Sequence, residues 1–389
     1  MSVRVWVAGL ALIVAATPLR AQSLFNAAGI GLPMEAVDGR ARALGSLGLG
    51  LPGTSMLPAD PASPARLLVP GGIMVVQPSW VDLSRDGDPG HRYFRGSRFP
   101  LFAASYPLFQ GMASIHATSV LDQAYEGERT LTVDFAGTPV QAVDRFDQNG
   151  AVSSLSVGYA RMVSPSTAVG LSAGRYAGSV LRSLVRTFAD SVIGNQVIPY
   201  ASGGSWSYSG YHVTAGVSTD VTTFLRVAAS ATYSTELQAD PTGQTLGAER
   251  HFAIPLQLRI GASSQLAPGL TLSASASHAD WSDTESDLAG GEAGSTTSFG
   301  GGLELAQARF FGRTTPLRLG FRRRGLPFAL EGGSAHEQSF SGGFGLSLNE
   351  TNEIVLAALD VGLEKGTRST GSYQEDFWRA TMSLRVSGF

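Results

Sequence analysis

The chain has 389 residues, of which 15% are charged and 48 are glycine, and it contains no cysteine. Soluble domains carry about 25% charged residues, so this composition does not fit a surface that faces water on all sides. The absence of cysteine excludes disulfides, thiolate metal sites, a lipoprotein anchor and cysteine catalysis. The 28 basic residues are balanced by 31 acidic ones, and we therefore expect no nucleic-acid partner.

The N-terminus predicts a secretory signal peptide over residues 1–21. Arg4 supplies the positive start, residues 5–16 form an apolar run of twelve, and Ala21 is the small residue that a signal peptidase requires. A helix that stays in a bilayer needs about 20 apolar residues, so this run is too short to remain as a span. We expect cleavage after Ala21, with Ala16 as the alternative site and a short N-terminal anchor as the alternative interpretation.

Residues 22–67 lack strand alternation and are rich in Gly, Ala, Pro and Leu. From about residue 70 to the end, apolar and polar residues alternate with a period of two, as in residues 225–234, 317–322 and 378–387. The alternating runs often exceed ten residues, whereas strands of soluble proteins average five or six. This pattern predicts an outer-membrane barrel of about 14 antiparallel strands.

The segments between the runs fall into two kinds. Short turn clusters occupy residues 164–166, 267–269 and 349–352, and a longer polar segment occupies residues 283–294. Short turns at one rim and long loops at the other are typical of outer-membrane barrels. We also expect residues 128–150 to form an extra hairpin or an extracellular loop.

A second long loop is expected over residues 183–202. Aromatic residues at the ends of the runs are expected to form the two interfacial girdles of the barrel. These residues are Trp80, Tyr106, Tyr208, Tyr233, Trp281, Phe310, Phe311, Phe377 and Trp378.

These observations predict an all-β fold, a transmembrane antiparallel β-barrel with an N-terminal luminal plug. The expected domains are the signal peptide at residues 1–21, the plug or hatch at residues 22–67 and the barrel at residues 68–389. A barrel of about 14 strands encloses more space than its own side chains fill, and the low charge of the plug argues against a disordered tail. The last residue, Phe389, is of the kind that the barrel-assembly machinery recognises. We expect this machinery and outer-membrane lipid as partners.

Two parts of the chain resemble the FadL/TodX family of outer-membrane transporters for long-chain fatty acids and other hydrophobic compounds. The first comprises residues 39–45, residues 48–52 and Asp60-Pro61-Ala62, with Asp60 where the family has Asn. The second lies in the C-terminal third, at residues 317–322, 326–328, 358–364 and 376–379. The resemblance covers about a third of the chain.

This resemblance implies a 14-stranded barrel closed by an N-terminal hatch, which passes hydrophobic ligands through the lumen. It places the mature N-terminus beside the ligand, with Leu24, Phe25, Leu32 and Met34 as ligand-binding residues. The hatch glycines Gly45, Gly48 and Gly50 are expected to let the backbone press against the barrel wall and shift. A related branch of the family serves in secretion, so fold alone does not decide function.

Charged residues on the polar faces of the last strands have two interpretations. Asp360 and Glu364 are expected near Arg379, in a salt-bridged ladder that fixes register and ties the hatch down. In the other interpretation, Arg318 and Arg322 bind the carboxylate of a substrate, because a guanidinium matches carboxylate geometry.

The sequence offers no support for catalysis or for a metal. The six histidines show no ligand-like spacing, and no G-x-S-x-G elbow occurs. The predicted function is a bacterial outer-membrane channel for passive uptake of hydrophobic small molecules such as long-chain fatty acids, gated by the hatch and without a cofactor. The alternatives are a structural or secretion-associated barrel that transports nothing, and a lipase-type enzyme of the outer membrane.

Overall fold

The computed structural model describes residues 23–53, 56–135, 137–188, 200–288, 292–310, 313–330, 332–351 and 354–388. The predicted signal peptide and the terminal Phe389 lie outside these ranges.

Fourteen strands within the described residues follow one another around a ring. They are β1 (Gly71–Arg85), β2 (Asp88–Leu108), β3 (Gly111–Asp122), β4 (Thr138–Met162), β5 (Thr167–Phe188), β6 (Tyr200–Asp220), β7 (Leu225–Ser234), β8 (Gln257–Ala267), β9 (Leu270–Asp280), β10 (Ser295–Leu305), β11 (Leu317–Leu326), β12 (Ala335–Thr351), β13 (Ile354–Thr370) and β14 (Tyr373–Ser387).

Each of these strands pairs antiparallel with its neighbours in the chain, and β14 pairs with β1 to close the ring. In that last pairing Ser387 lies opposite Gly71 and Tyr373 lies opposite Arg85. Closure leaves no unpaired edge, which a sheet in lipid requires. The predicted antiparallel barrel of about 14 strands is confirmed.

Two strands continue beyond the ring at the rim of the long connections. The strand Tyr125–Phe135 extends β3 and pairs with the first half of β4. Of the two expectations for residues 128–150, an extra hairpin or an extracellular loop, the structure therefore has the hairpin. The strand Leu237–Thr242 extends β7 and pairs with β6 and with the short strand Arg250–Phe252. The prediction of a loop over residues 183–202 is wrong at both ends, because the ladder between β5 and β6 runs to the pair Arg186 and Tyr200 and β5 itself runs to Phe188. Residues 189–199 lie outside the described ranges.

The remaining elements are short. The helices are Leu24–Ala27, Gly39–Ala43, Ser63–Arg66 and Ser282–Glu285, and the short strands are Leu32–Pro33, Glu292–Ala293, Arg309–Phe310, Arg313–Thr314 and Phe328–Ala329. None of the helices in the described ranges is long and apolar enough to span a membrane.

Alternation sorts the side chains of each strand into an outer apolar face and an inner face. On β7, Ala229 and Tyr233 are exposed on the outside, whereas Ser230, Thr232 and Ser234 are buried inside. The inner face is polar and small along much of the wall, and it is buried because the N-terminal part of the chain covers it.

Three aromatic residues expected in the girdles point into the barrel instead. Tyr208, Trp281 and Phe377 are all buried. Phe377 precedes the outward-facing Trp378, and neighbouring residues of a strand point to opposite faces. Trp281 follows the end of β9 and turns into the lumen, where it contacts Phe328 edge-on at 5.5 Å between ring centroids.

Candidate functional site

The N-terminal segment, which we define as residues 23–67, lies against the inner wall of the barrel. Its short strand Leu32–Pro33 pairs with the end of β3. Its helix Gly39–Ala43 begins at Asp38, whose side chain accepts a hydrogen bond from the Ala41 N–H at 2.7 Å. The helix contacts β11 to β14, where the Ser341 hydroxyl donates to the Ala43 carbonyl at 3.0 Å. The segment therefore occupies the lumen.

Glycines of the wall allow the segment backbone to come this close. In each of eight wall glycines, an added Cβ would lie within 3.0 Å of an atom of the segment. We call them the glycine belt: Gly170, Gly216, Gly261, Gly300, Gly302, Gly320, Gly343 and Gly362. They belong to seven strands from β5 to β13, so the segment follows the wall around most of the ring.

The predicted hatch glycines differ in what they contact. All three have positive φ, +61° at Gly45, +86° at Gly48 and +64° at Gly50, a conformation that glycine adopts without strain. Gly45 lies against the Phe321 carbonyl and Gly50 against the Gly261 carbonyl, both on the wall. Gly48 instead packs on Leu57, within the segment. The predicted shift of these glycines stays a prediction.

Ion pairs fasten the segment to the last strands. Glu35 pairs with Arg322 on β11, and Arg42 lies 3.8 Å from Glu364 on β13. Arg40 forms a bidentate pair with Glu304 on β10, at 2.8 Å and 2.7 Å. Such two-point pairs are among the strong charged hydrogen bonds.

The start of the segment is held in the same way. The Ser23 hydroxyl and the Leu24 N–H both donate to the Glu375 carboxylate on β14, at 2.8 Å and 2.7 Å. Glu375 also accepts from Arg368 at 3.0 Å. The first described residue of the segment is thus bound to the last strand of the ring.

The predicted salt-bridged ladder is present, with one correction. Glu364 lies opposite Arg379 in the register of β13 and β14, and their side chains are 3.2 Å apart. Asp360 lies opposite Ser383 and pairs instead with Arg318, at 2.6 Å. The expectation that Asp360 lies near Arg379 is wrong, because the register places it four residues away along the strand.

The pKa values of two buried carboxyl groups of the segment shift in opposite directions. At Glu35, burial raises the pKa, but the charges of Arg322, Arg324 and Arg42 outweigh it and lower the pKa to about 2. At Asp60, burial raises the pKa, even though its carboxylate accepts a hydrogen bond from the Gly50 N–H at 3.1 Å. Asp60 accepts the bond that an Asn oxygen would accept at this position.

A cavity of about 200 Å³ lies in the lumen above the segment. Residues 33–37 and 58–59 form its floor, and inward-facing side chains of β3 to β11 form its walls. The apolar part of the wall is lined by Val120, Leu121, Val152, Tyr176, Leu237, Ile254 and Trp281.

The opposite part of the cavity wall is polar. Arg259 on β8 donates to the Thr232 hydroxyl at 2.9 Å and contacts Gln257, and among the described residues it has no carboxylate within ion-pair distance. His212 stacks on Tyr176, with 4.9 Å between ring centroids. The cavity therefore combines an apolar surface with a partly buried cation that has no ion pair among the described residues.

One feature of the cavity resembles half of a hydrolase site. The Ser154 hydroxyl lies 2.6 Å from His212 Nε2. The other nitrogen, Nδ1, has no hydrogen-bond partner in the described part of the chain, so no acid orients the imidazole. In a Ser-His-Asp triad a buried acid orients the histidine, and no described residue takes that place beside His212. No cluster of metal-ligating side chains occurs among the described residues either.

The structure separates the four predicted apolar ligand-binding residues into two places. Met34 lines the cavity. Phe25 and Leu32 are buried in a separate cluster with Leu326 and Ala335, and the partly buried Leu24 lies beside them.

The two arginines predicted to bind a substrate carboxylate already contact carboxylates of the protein. Arg318 binds Glu304 and Asp360, and Arg322 binds Glu35. Neither of them lines the cavity.

Sequence reasoning missed most of the cavity wall. Residues 253–256 interrupt the strand between Arg250–Phe252 and β8, and the alternation changes phase there. Phe252 is buried and Ile254 lines the cavity, whereas Leu256 and Leu258 are exposed outside. Pro255 is the signal that was available, because proline interrupts a ladder of strand hydrogen bonds.

Comparisons with solved structures agree with this architecture. The toluene transporter TbuX of Ralstonia pickettii superposes with a TM-score of 0.56 at 16% identity, over 91% of this chain and 99% of that one. The toluene transporter TodX of Pseudomonas putida gives 0.57 at 12%, over 92% and 98%. A FadL homologue of Pseudomonas aeruginosa gives 0.57 at 13%, over 93% and 99%. No protein-family model matches the sequence, and the curated proteins contain no match to it.

The chain thus has the fold of the FadL-type barrels, and the resemblance noted in the sequence is confirmed at the level of the fold. Its closed ring has an apolar outer face, which includes Leu319, Phe340 and Leu363 at 71%, 65% and 46% exposure. Such a surface is stable only in contact with lipid. The protein is a β-barrel of the bacterial outer membrane.

Proposed function

We propose that the chain is a channel through which hydrophobic small molecules cross the outer membrane passively. The observation that carries this proposal is the luminal cavity of about 200 Å³ with Tyr176, Leu237 and Trp281 in its wall. An apolar cavity of about 150 Å³ binds benzene, so this one has room for a compact molecule of about one aromatic ring. Two of the similar barrels are toluene transporters, which supports a ligand of this size.

Arg259 favours a second class of ligand, a hydrophobic chain that ends in a carboxylate, such as a fatty acid. Its guanidinium is partly buried and has hydrogen bonds but no ion pair among the described residues, and the nearby Glu35 carboxylate interacts with it only electrostatically. A guanidinium matches the geometry of a carboxylate, so a ligand carboxylate would supply the direct ion pair that Arg259 lacks. In this proposal Arg259 takes the role predicted for Arg318 and Arg322, while Met34 keeps its predicted place beside the ligand.

We further propose that residues 22–67 act as the gate. Residues 33–37 and 58–59 separate the cavity from the rim with the short turns. A ligand in the cavity leaves toward that rim only when part of this floor moves. Phe25 and Leu32, with Leu24 beside them, pack on Leu326 and Ala335 at the ends of β11 and β12 that face the long connections, so in this proposal they lie on the entry side of the path. A barrel whose segment never moves is the alternative, and it transports nothing.

The test measures binding of toluene and of decanoate to the full chain in a neutral detergent, and their flux into liposomes. Trp281→Ala removes an aromatic wall and is expected to weaken binding of both ligands about 30-fold, as loss of a buried aromatic anchor does. Arg259→Gln is expected to weaken the binding of decanoate about tenfold, which is the effect of a lost charged hydrogen bond. The same variant is expected to leave the binding of toluene unchanged. Trp80→Ala is the matched control, because Trp80 faces outward and is 48% exposed.

Saturable binding of either ligand that falls with Trp281→Ala supports the channel. Equal weakening by Trp80→Ala contradicts the proposed site. If neither these two compounds nor longer fatty acids bind saturably, the transport proposal fails and the non-transporting barrel replaces it. If Arg259→Gln leaves decanoate binding unchanged, the fatty-acid class alone is withdrawn.

A further inference from the structure

β13, β14 and β1 lie side by side where the ring closes. On the outer wall, the residues of each of these strands change from apolar to polar at one position. The outward-facing residues of β14 are apolar from Val386 to Ala380; Trp378 follows, and then Asp376 and Gln374. On β1 the outward series ends at Pro78, Trp80 comes next, and Asp82 is polar. On β13, Leu363 is followed by Lys365 and Thr367.

The residues at this boundary are neighbours in the sheet. Arg95 lies opposite Trp80, Trp80 opposite Trp378, and Trp378 opposite Lys365. We call these four residues the interfacial row. The Lys365 Nζ lies 5.4 Å from the centre of the Trp378 ring, within range of a cation–π contact. The row thus presents a cation, two tryptophans and a second cation to the outside.

The depth of the row matches the edge of the hydrocarbon. Trp80 follows Gly71, the first residue of β1, by nine positions. At about 3.3 Å per residue and a strand tilt of about 40°, this places Trp80 roughly 23 Å above the start of the strand. The apolar band of an outer-membrane barrel is about 25 Å tall and is bounded by aromatic girdles. The row lies at the rim away from the short turns, which is the outer leaflet.

Neither cation of the row has an acidic partner in the part of the chain that the structure describes. Among the described residues, neither Arg95 nor Lys365 lies within ion-pair distance of a carboxylate. Lys365 is also the only lysine in the chain. Phosphate groups of anionic lipids lie at this depth and attract Lys and Arg side chains.

We propose that the interfacial row binds a phosphate-bearing lipid of the outer leaflet, with one phosphate on Arg95 and another on Lys365. The acyl chains lie over the apolar residues below, such as Leu363 and Met382. Three strand spacings separate the two cations, so their Cα atoms are about 14 Å apart, which suits a lipid with two phosphate groups. A second copy of the barrel does not suit the row, because a twofold contact places like charges against each other.

The test titrates the full chain in a neutral detergent with diphosphoryl lipid A, monophosphoryl lipid A and phosphatidylcholine, and counts bound lipid by native mass spectrometry. Each surface cation contributes about a fivefold change in affinity for an anionic lipid. Arg95→Gln and Lys365→Gln are each expected to weaken binding of the diphosphoryl form about fivefold, and the double variant about 25-fold. Lys365→Arg keeps the charge and is expected to retain binding, and phosphatidylcholine is expected to bind equally to all variants.

Arg175→Gln is the matched control. Arg175 is another outward-facing cation beside an aromatic ring, 6.0 Å from the centre of Tyr211, but it lies on β5 outside the row. Arg175→Gln is expected to leave the binding of diphosphoryl lipid A unchanged. The proposal is overturned if the double variant binds diphosphoryl lipid A as the original chain does, or if Arg175→Gln weakens binding as much as Arg95→Gln. It is also overturned if the row variants change the oligomeric state and not the number of bound lipids.

Discussion

Glu35 belongs to two parts of the molecule at once. Its carboxylate pairs with Arg322 of the wall and lies 3.8 Å from Arg42 of the segment, and the same side chain lines the cavity. A single residue therefore joins the fastening of the segment to the floor of the ligand site. Movement of this floor breaks the ion pair between Glu35 and Arg322.

Glu35→Gln is expected to loosen the segment. The variant leaves the buried Arg322 guanidinium without its counter-charge, and breaking a buried pair in this way costs about 3 kcal/mol. Leakage of small solutes from liposomes that contain the variant should rise, while the barrel itself stays closed. Glu126→Gln is the control, because its pair with Arg145 is exposed and such pairs contribute little. Unchanged leakage in Glu35→Gln contradicts the anchoring role.

The same carboxyl group predicts a pH dependence. Its folded-state pKa of about 2 lies below the ordinary value of 4.5, so its contribution to stability is complete above pH 4.5 and is lost as the pH falls toward 2. Leakage from liposomes of the original chain should therefore be the same at pH 7 and pH 5 and should rise below pH 4. A rise already between pH 7 and pH 5 would show that another group holds the segment.

At the scale of elements, the glycine belt determines how the segment and the strands fit. Wall glycines usually weaken a strand, because they bury no side chain. Here they leave space for a backbone that runs along the wall, and the wall hydroxyls of Ser275 and Ser383 accept from the segment N–H groups of Leu47 and Gly39 at 2.9 Å and 3.1 Å. The belt and the hydroxyls replace the side-chain packing of an ordinary core.

Gly320→Ala tests the belt. An added Cβ at Gly320 would lie 2.3 Å from the Leu44 carbonyl carbon and 2.5 Å from the Gly45 nitrogen, both in the segment. The segment has to move, and overpacking of this kind costs about 1–3 kcal/mol. We expect faster proteolysis of the segment and more leakage. Gly342→Ala is the control, because an added Cβ there meets the Leu319 side chain at 3.5 Å and the Arg318 carbonyl oxygen at 3.6 Å, both ordinary contact distances and neither in the segment. Equal effects of the two variants would contradict the belt.

The strands were predictable from the sequence, and the cavity was not. Alternation is a local property, so the outward face of residues 225–234 and 378–387 could be assigned from neighbours alone. Which inner residues meet depends on register and on how the segment folds into the lumen, and both involve residues far apart in the chain. Tyr208 and Trp281 looked like girdle residues for this reason, although both belong to one buried luminal cluster.

At the scale of the whole molecule, the wall partners of the segment are concentrated late in the chain. Glu304, Arg322, Glu364 and Glu375 lie on β10, β11, β13 and β14. β14 also closes the ring by pairing with β1. The strands that complete the barrel therefore supply most of the charged partners of the segment, and Asp220 on β6, which pairs with Arg66, is an exception.

This arrangement gives assembly an order. The segment precedes all fourteen strands in the chain, yet the bonds of Ser23 and Leu24 to Glu375 need the last strand in place. The segment can therefore be fastened completely only after the barrel has closed, because an open barrel lacks part of the site. A closed barrel migrates differently on a denaturing gel when the sample is not boiled. During refolding of the full chain, protection of the segment from protease should appear together with this unheated form or after it. Protection that appears earlier would contradict this order.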